Sequence, residues 1–302
     1  MSVSRVLVLG ASGMLGHEAV RVLAPDYEVF AAFRNADGFP DLGIPANRML
    51  SGLDAFDIST ARALFDVVRP DIVINAVGII KQIDDSKAAV PSITVNSLWP
   101  HQLATLCEEF DARLIHPSTD CVFSGENCPQ GGYRESDAPD ARDLYGRSKL
   151  LGELAEYPHA LTVRTSIIGW QIGLQNSLIG WFAQHRNDSD LKGYTQAIFS
   201  GLSTTLLTEV VRDYAFEHPE LHGLYHVSLA PIDKYTLLSK LATACDWDVD
   251  LEPFDEPLVN KTLNSERFQA GTGWVPPEWD AVIENLAEQY HSSVAVNELT
   301  SG

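Results

Sequence analysis

Tyr145 and Lys149 stand four residues apart in DLYGRSKLLGE, residues 143–153, with only small or polar side chains between them. Four residues along a helix bring two side chains to one face. A lysine ammonium near a phenol favours the phenolate and so eases proton transfer, and it can also hold a ribose. The pair is either chemistry or the exposed side of a helix, and its surroundings decide which. A second candidate group is PSTDCVFSG, residues 117–125, which offers hydroxyls at Ser118 and Thr119, followed by Asp120 and Cys121. Tyr133, by contrast, has no lysine four residues on.

Such groups need elements to position them, and strand and helix signals alternate through the first half of the chain. RVLVLG (5–10) is a β-branched apolar run ending in glycine, which suits a buried parallel strand. MLGHEAVRVLA (14–24) sets Leu15, Val20 and Leu23 at helical intervals. Further strands are expected over 27–33, 71–78, 112–119 and 160–166. Helices are expected over 59–68, 90–110 with a kink at Pro100, and 145–157. This β-α-β-α order predicts an α/β fold, a Rossmann-type doubly wound parallel sheet with helices on both faces. The dinucleotide-binding domain is expected to span residues 1–166. Residues 167–291 read mainly as a smaller C-terminal substrate-binding lobe, with helices near 175–186, 204–217 and 233–245 and a strand near 195–199. A segment near 223–228 is expected to return to the main sheet, and 292–302 reads as a loose tail.

The turn LGASGMLG places Gly10, Gly13 and Gly16 between the first strand and first helix, with Ser12, Met14 and Leu15 among them. Glycines at that spacing let the backbone turn tightly and approach a pyrophosphate over the helix N-terminus. An acidic residue ending the second strand would accept both ribose hydroxyls and favour NAD. Here the strand ends AAFRN, with Arg34 and no carboxylate until Asp37. An arginine can pair with a 2′-phosphate, so NADP(H) is preferred and NAD(H) stays open. Asp54, followed by Ala55, is a candidate for the adenine amine, and Asp57 a candidate helix cap.

The composition limits the alternatives. Among the 302 residues, 21 Lys and Arg face 41 Asp and Glu, a formal net charge of −20. That balance opposes nonspecific attraction to nucleic acid or an anionic membrane, while allowing a local cationic pocket. Lys192, Lys261 and Arg267 in the second half could bind a nucleotide diphosphate, or be surface cations. The four cysteines lack C-x-x-C spacing, and Cys121 has no adjacent histidine to make it a nucleophile, so it reads as a small pocket-lining residue. His222 and His226 in HGLYH are too far apart along a strand for a compact metal pair, so no metal is expected. The start of the chain has neither a signal-peptide pattern nor the length of a membrane span, so a soluble, cytoplasmic protein is expected.

Taken in order, GASGMLG, RPDIVINAVG, VNSLWPHQLA, PSTDCVFSG, YRESDAPDARDLYGRSKLLGE and LTVRTSIIG resemble the extended short-chain dehydrogenase/reductase family, most of all its dTDP-4-dehydrorhamnose reductase branch. The resemblance covers residues 4–167, and GLYHVS and NSERF extend it more loosely. It implies that Tyr145 is the proton donor to a substrate carbonyl. Lys149 would lower the phenol's proton affinity and bind ribose. Thr119, or less readily Ser118, would orient the carbonyl. Asn96 would support the geometry, and Asn75, Ala76 and Val77 would line the cofactor. Thr119, Asp120, Cys121, Tyr145, Trp170, Lys261 and Arg267 are the expected substrate contacts.

The implied activity is NADPH-dependent reduction of a nucleotide-activated 4-keto-6-deoxyhexose. A nucleotide-sugar epimerase or dehydratase and a non-catalytic NADP-binding regulatory subunit stay open as alternatives, as does a homodimer. Three stretches depart from the branch: AVGIIKQIDDSK, Cys121 where tyrosine is usual, and RTSIIGW, where tryptophan arrives only at Trp170. All three border the expected substrate pocket, so the resemblance speaks more strongly for the reductase chemistry than for the sugar.

Overall fold

The computed structural model describes residues 4–35, 41–80, 88–172 and 177–300, with side chains placed to residue 292. Asp37 and the QIDDSK run lie outside the described residues. The apolar run at the start forms β1 (Arg5–Leu9). Its side chains alternate between two buried clusters, Val6 and Val8 entering one, Leu7 and Leu9 the other. A strand buried on both faces requires a continuous apolar run, which is what the sequence has there.

The first half continues with α1 (Met14–Leu23), β2 (Glu28–Ala32), β3 (Met49–Leu50), α2 (Ile58–Val68), β4 (Ile72–Asn75) and α3 (Ala89–Ile93). It goes on through α4 (Trp99–Glu109), β5 (Arg113–Thr119), α5 (Leu144–Leu151) and β6 (Ala160–Thr165). The second half contains β7 (Ile167–Ile168), α6 (Leu178–His185), β8 (Leu191–Tyr194), β9 (Ala197–Phe199), β10 (Leu202–Ser203) and α7 (Thr204–Val210). It ends with β11 (Gly223–His226), β12 (Ile232–Asp233), α8 (Lys234–Ala244), β13 (Leu251–Phe254), β14 (Val259–Asn260), α9 (Glu266–Thr272) and α10 (Trp279–Thr300).

Seven strands form the main sheet in the order β11-β6-β5-β4-β1-β2-β3, and every neighbouring pair is parallel. Leu9, Asn75, Thr119 and Thr165 therefore end their strands along one edge of the sheet, where ligands bind in open parallel sheets. One apolar layer packs α1 and α7 on the sheet, and the other packs α2 and α4. Asp57 caps α2, its Oδ1 accepting the Ser59 N–H at 2.9 Å. The remaining strands make small sheets outside the main one, pairing β8 with β13, β7 with β10, and β9 with β12 and β14. No helix among the described residues is long and apolar enough to cross a membrane.

Three helices differ from their sequence patterns. The helix over 90–110 is interrupted ahead of Pro100, by a π turn over Thr94–Leu98 between α3 and α4. Pro100 itself lies in the first turn of α4, where a missing N–H costs little. The helix expected over 145–157 stops at Leu151, because Gly152 is pressed against the π turn and Glu153 turns away toward Arg164. The C-terminal backbone is helical through Thr300, so the segment read as a loose tail from residue 292 is instead the end of α10.

A Cβ at Gly152 would overlap the Asn96 carbonyl oxygen and approach Pro100 Cγ at 3.2 Å. Overpacking of this kind typically costs about 1–3 kcal/mol. Gly152→Ala is expected to lower the urea midpoint accordingly without changing the slope, and a midpoint equal to the parent's would show that the two helices are free to separate.

Candidate active site

The glycine turn begins where β1 ends. Gly10 takes a φ of +83°, and the Gly10 and Ala11 N–H groups both donate to the Ala32 carbonyl at 3.0 Å, tying the turn to β2. A Cβ at Gly10 would meet Ala76 and Val77 at 3.0 Å, and one at Gly16 would overlap the Gly10 carbonyl. Gly13 is the N-cap of α1 and makes no side-chain cap. Backbone N–H groups at a helix start, with no Cβ in front of them, are the surroundings a pyrophosphate requires. The residues present thus fit a dinucleotide. Ser12 is exposed and Met14 half-buried at this turn, but the Leu15 side chain is in the core. Leu15 therefore offers its backbone to this turn, and its side chain to the core.

Arg34 is exposed just past β2. The Gly52 N–H donates to the Arg34 carbonyl at 3.2 Å and Leu53 N–H to Phe33 at 2.9 Å, which brings Asp54 and Ala55 beside it. One Asp54 oxygen closes its own turn by accepting the Phe56 N–H at 2.9 Å. Asn75 differs from its expected role. Its side chain is buried, accepts Trp99 Nε1–H and donates toward His116 Nδ1, both at 3.1 Å, so it braces the core beneath α4. Ala76 and Val77 remain at the glycine turn.

The helix α5 carries Tyr145 and Lys149 and is seated from both sides. Asp143 caps it, accepting the Gly146 N–H at 2.8 Å. A Cβ at Gly146 would overlap the Cys121 carbonyl, so the helix start rests directly on the Asp120–Val122 turn. On the other side Asn96 accepts the Ile79 N–H at 2.9 Å and donates to the Ile79 carbonyl at 3.0 Å and to Ser148 Oγ at 3.2 Å. Asn96 thereby clamps the loop after β4 to α5, and Ser97 adds a bond to the Ser148 carbonyl at 2.8 Å. The small residues between Tyr145 and Lys149 are what permit this seating.

Lys149 is buried, and its Nζ donates to the Pro117 carbonyl at 2.8 Å. Burial lowers its pKa to about 8, against the raising influence of Glu153. Tyr145 remains partly accessible in the cleft. Burial pushes its phenol above the ordinary value, with Cys121, Asp120 and Asp143 adding to the rise, while a hydrogen bond with Thr119 acts the other way. Thr119 Oγ1 accepts the Cys121 N–H at 3.1 Å and lies 3.3 Å from Asp120 Oδ1.

Ser118, one residue earlier, faces away. Its hydroxyl donates to Glu153 Oε1 at 2.7 Å, so it is not an alternative to Thr119. Glu153 forms a two-pronged pair with Arg164, both bonds 2.6 Å, with each side chain under a tenth exposed. Arg164 also reaches His226 Nε2 at 3.2 Å and lies over the Phe123 ring at 5.3 Å. His226 Nδ1 is 2.9 Å from the Tyr133 carbonyl, which fixes the hydrogen on Nδ1 and leaves Nε2 to accept from Arg164. Burial, then the Arg164 charge, lower its pKa to about 3, so His226 is a neutral structural residue. His222 is exposed. Sequence patterns do not reveal this network. Its signal is present as the glutamate of LLGE and the arginine of TVRT, but nothing in their spacing pairs them.

Of the second-half candidates only Lys261 arrives. Asn260 N–H donates to the Gly125 carbonyl at 2.9 Å, Tyr133 N–H to the Thr262 carbonyl at 2.8 Å, and Asn264 N–H to the Tyr133 carbonyl at 2.7 Å. These bonds strap residues 260–264 across the turn and set Lys261 facing Asp120 and Cys121, where its charge acts on both. Cys121 is pushed up to about 11, chiefly by burial, so its thiol is protonated. Arg267 is elsewhere: it donates to the Leu224 carbonyl at 2.8 Å and lies over the Tyr225 ring at 4.2 Å, on the edge strand. Trp170 turns toward the C-terminal helix, donating to the Leu286 carbonyl at 2.8 Å beside Tyr290. Lys192 stacks over Phe254 at 4.1 Å in the small β8–β13 sheet. Tyr133 stacks on Phe123 at 4.0 Å within a small buried cluster. Among the described residues no cluster of His, Cys, Asp or Glu could hold a metal.

A glycine turn, a parallel sheet and a Tyr145–Lys149 helix meeting at one sheet edge give an α/β protein with the short-chain dehydrogenase/reductase type of fold. Residues 4–292 match the family model of the RmlD substrate binding domain, and the chain belongs to that family. It is 32% identical over 203 residues to the probable low-salt glycan biosynthesis reductase Agl14 of Haloferax volcanii, covering 66% of this chain and 64% of that protein. It is 23% identical over 315 residues to the dTDP-4-dehydrorhamnose reductase of Aggregatibacter actinomycetemcomitans, covering 94% and 98%. The crystal structure of dTDP-4-dehydrorhamnose reductase from Bacillus anthracis in complex with NADP superposes with a TM-score of 0.79 at 21% identity, over 96% of this chain and 99% of that one.

The lowered Lys149 pKa has a consequence for stability. Below about pH 8 the folded, cofactor-free chain carries the full cost of a buried ammonium, and that cost fades as the pH rises toward the ordinary 10.5. Lys149→Met is expected to melt no lower than the parent at pH 7, with the difference shifting toward the parent as pH rises above 8. A parent that loses ground to the variant over that interval would contradict the burial assigned to Lys149.

Proposed function

We propose that the protein is an NADPH-dependent reductase of a nucleotide-activated 4-keto-6-deoxyhexose. The observation that carries this reading is the meeting of three groups at the C-terminal ends of the strands: the Tyr145 phenol, the Thr119 hydroxyl and the buried Lys149 ammonium. When bound, the nicotinamide dinucleotide supplies the hydride.

The chain's own residues do the rest. Tyr145 is held protonated in the resting site by burial and by the acidic groups around it, so it enters as a donor and gives its proton to the substrate oxygen. Thr119 accepts the Cys121 N–H and donates its own hydrogen to Asp120 at rest, and turns that hydrogen to the substrate oxygen when the oxygen is in place. Lys149 is mostly charged at neutral pH, stabilises the phenolate left behind and holds the ribose. Asn96 keeps the helix and the loop after β4 in register. The glycine turn receives the pyrophosphate, and Arg34, exposed beyond β2, meets a 2′-phosphate. Lys261, rather than Arg267, is the second-half cation on the sugar side.

The test is oxidation of NADPH and NADH by the pure protein with dTDP-, UDP- and GDP-linked 4-keto-6-deoxyhexoses. Oxidation with at least one is expected, falling about 10²- to 10⁴-fold in Tyr145→Phe while cofactor affinity is retained. Full turnover by Tyr145→Phe would remove the proton-donor role. Cofactor binding without oxidation of any sugar would transfer the reading to an epimerase or dehydratase, or to a regulatory subunit.

The cofactor reading has its own check. Arg34→Ala is expected to weaken NADPH binding about tenfold and leave NADH binding unchanged. Equal losses for both would show that Arg34 does not meet the 2′-phosphate.

A further inference from the structure

The turn beneath Tyr145 carries more charge than a proton donor and its orienting hydroxyl require. Asp120 is only 6% exposed, and its Oδ1 lies 3.3 Å from the Thr119 hydroxyl that contacts the phenol. Hydrogen bonds from Cys121, Thr119 and Ser166 converge on it, and the charge of Lys261 faces it. Lys261 does not arrive by chance of a long side chain. The strap over residues 260–264 is bonded to the Gly125 and Tyr133 backbone on either side of it. Gly125, at a φ of +80°, leaves the space: a Cβ there would lie 2.9 Å from Lys261 Cγ and 2.7 Å from Val259 Cγ2. A segment more than a hundred residues downstream is thus built onto the turn so that one cation faces one buried carboxylate.

We propose that Asp120 and Lys261 are opposed positioning residues for Tyr145, the carboxylate acting through the Thr119 hydroxyl to hold the proton on the phenol and the ammonium offsetting that effect. The proposal deepens the reductase reading and rests on it, since it concerns the group assigned there as proton donor. Among the described residues, the charged and titratable groups facing this corner are few. Asp143 stands at the start of α5, Cys121 and Asp120 on the turn, Lys261 on the strap, and Lys149 with Glu153 on the inner side of α5. Removing Asp120 or Lys261 leaves the helix cap and the Lys149–Pro117 bond untouched. A carboxylate near a phenol disfavours the phenolate, and a cation favours it. Burial raises the proton affinity of both Asp120 and Cys121, Lys261 opposes that rise at each, and Asp120 acts on Tyr145 in the raising direction.

The two residues should therefore move Tyr145 in opposite directions, which a merely structural role would not do. A trifluorotyrosine placed at position 145 titrates within the range the fold tolerates, and fluorine NMR reads its ionisation without any turnover. Asp120→Asn is expected to lower the midpoint by about one pH unit and Lys261→Met to raise it by a similar amount. Lys261→Arg should restore the parent midpoint, and Arg267→Met, in α9 against the edge strand, should leave it in place. Midpoints that stay put, or that move the same way in both variants, would overturn the proposal. If Asp120→Asn does not fold, an unmoved or lowered midpoint in Lys261→Met overturns it alone. The reading it rests on fails separately: opposite movements with no keto sugar reduced would leave the charge coupling standing and remove the proton donor. Tyr145-dependent reduction with immobile midpoints would do the reverse.

Discussion

The buried pair between Arg164 and Glu153 is the constraint on which the site depends. Glu153 follows the last turn of α5, Arg164 lies on β6, Ser118 on β5 donates to the same carboxylate, and His226 on β11 accepts from the guanidinium. One charge pair thus joins three neighbouring strands to the helix that carries Tyr145 and Lys149. Such a pair gains little net stability because both ions lose their water, but removing one partner typically costs about 3–5 kcal/mol. Its value here is in register. With Ser118 committed to Glu153, the two-residue period of the strand turns Thr119 toward the cleft.

Around that pin the site is assembled by close backbone approach. At Gly16, Gly146 and Gly152 a single added carbon would overlap a carbonyl oxygen, and each marks a place where two elements meet without side chains between them. The start of α1 therefore lies against the glycine turn, whose Gly10 meets the loop after β4, and α5 lies against both the Asp120–Val122 turn and the π turn holding Asn96. Into a chain of net charge −20 the fold brings two cations to this corner, Lys149 from within α5 and Lys261 from the strap.

Much of this is legible in the amino-acid sequence alone, for a physical reason. The alternation of strands and helices, the glycine turn and the Tyr145–Lys149 spacing are local patterns, and local patterns are what a sequence displays directly. Thr119 is legible with Ser118 beside it, and only the direction of the strand separates them. Lys261 and Arg267 stand six residues apart and look alike in sequence; the hydrogen bonds at Asn260, Thr262 and Asn264 decide that one reaches the turn and the other the edge strand. Asn75 and Trp170 depart from their expected roles because side-chain direction at a strand end and after it is set by packing partners far along the chain, Trp99 and Leu286. The helix α5 ends six residues before its sequence pattern does, since nothing in GELAEY announces that Glu153 must turn toward Arg164.

The most direct test of the proposed chemistry is the fate of the transferred hydrogen. NADPH carrying deuterium at the transferable position of the nicotinamide would be incubated with the protein and the nucleotide-linked 4-keto sugar, and the product read by mass spectrometry and NMR. One deuterium on the sugar carbon that bore the carbonyl, with NADP formed in equal amount, is the predicted result. A sugar product free of deuterium, with the labelled cofactor unconsumed, would contradict it.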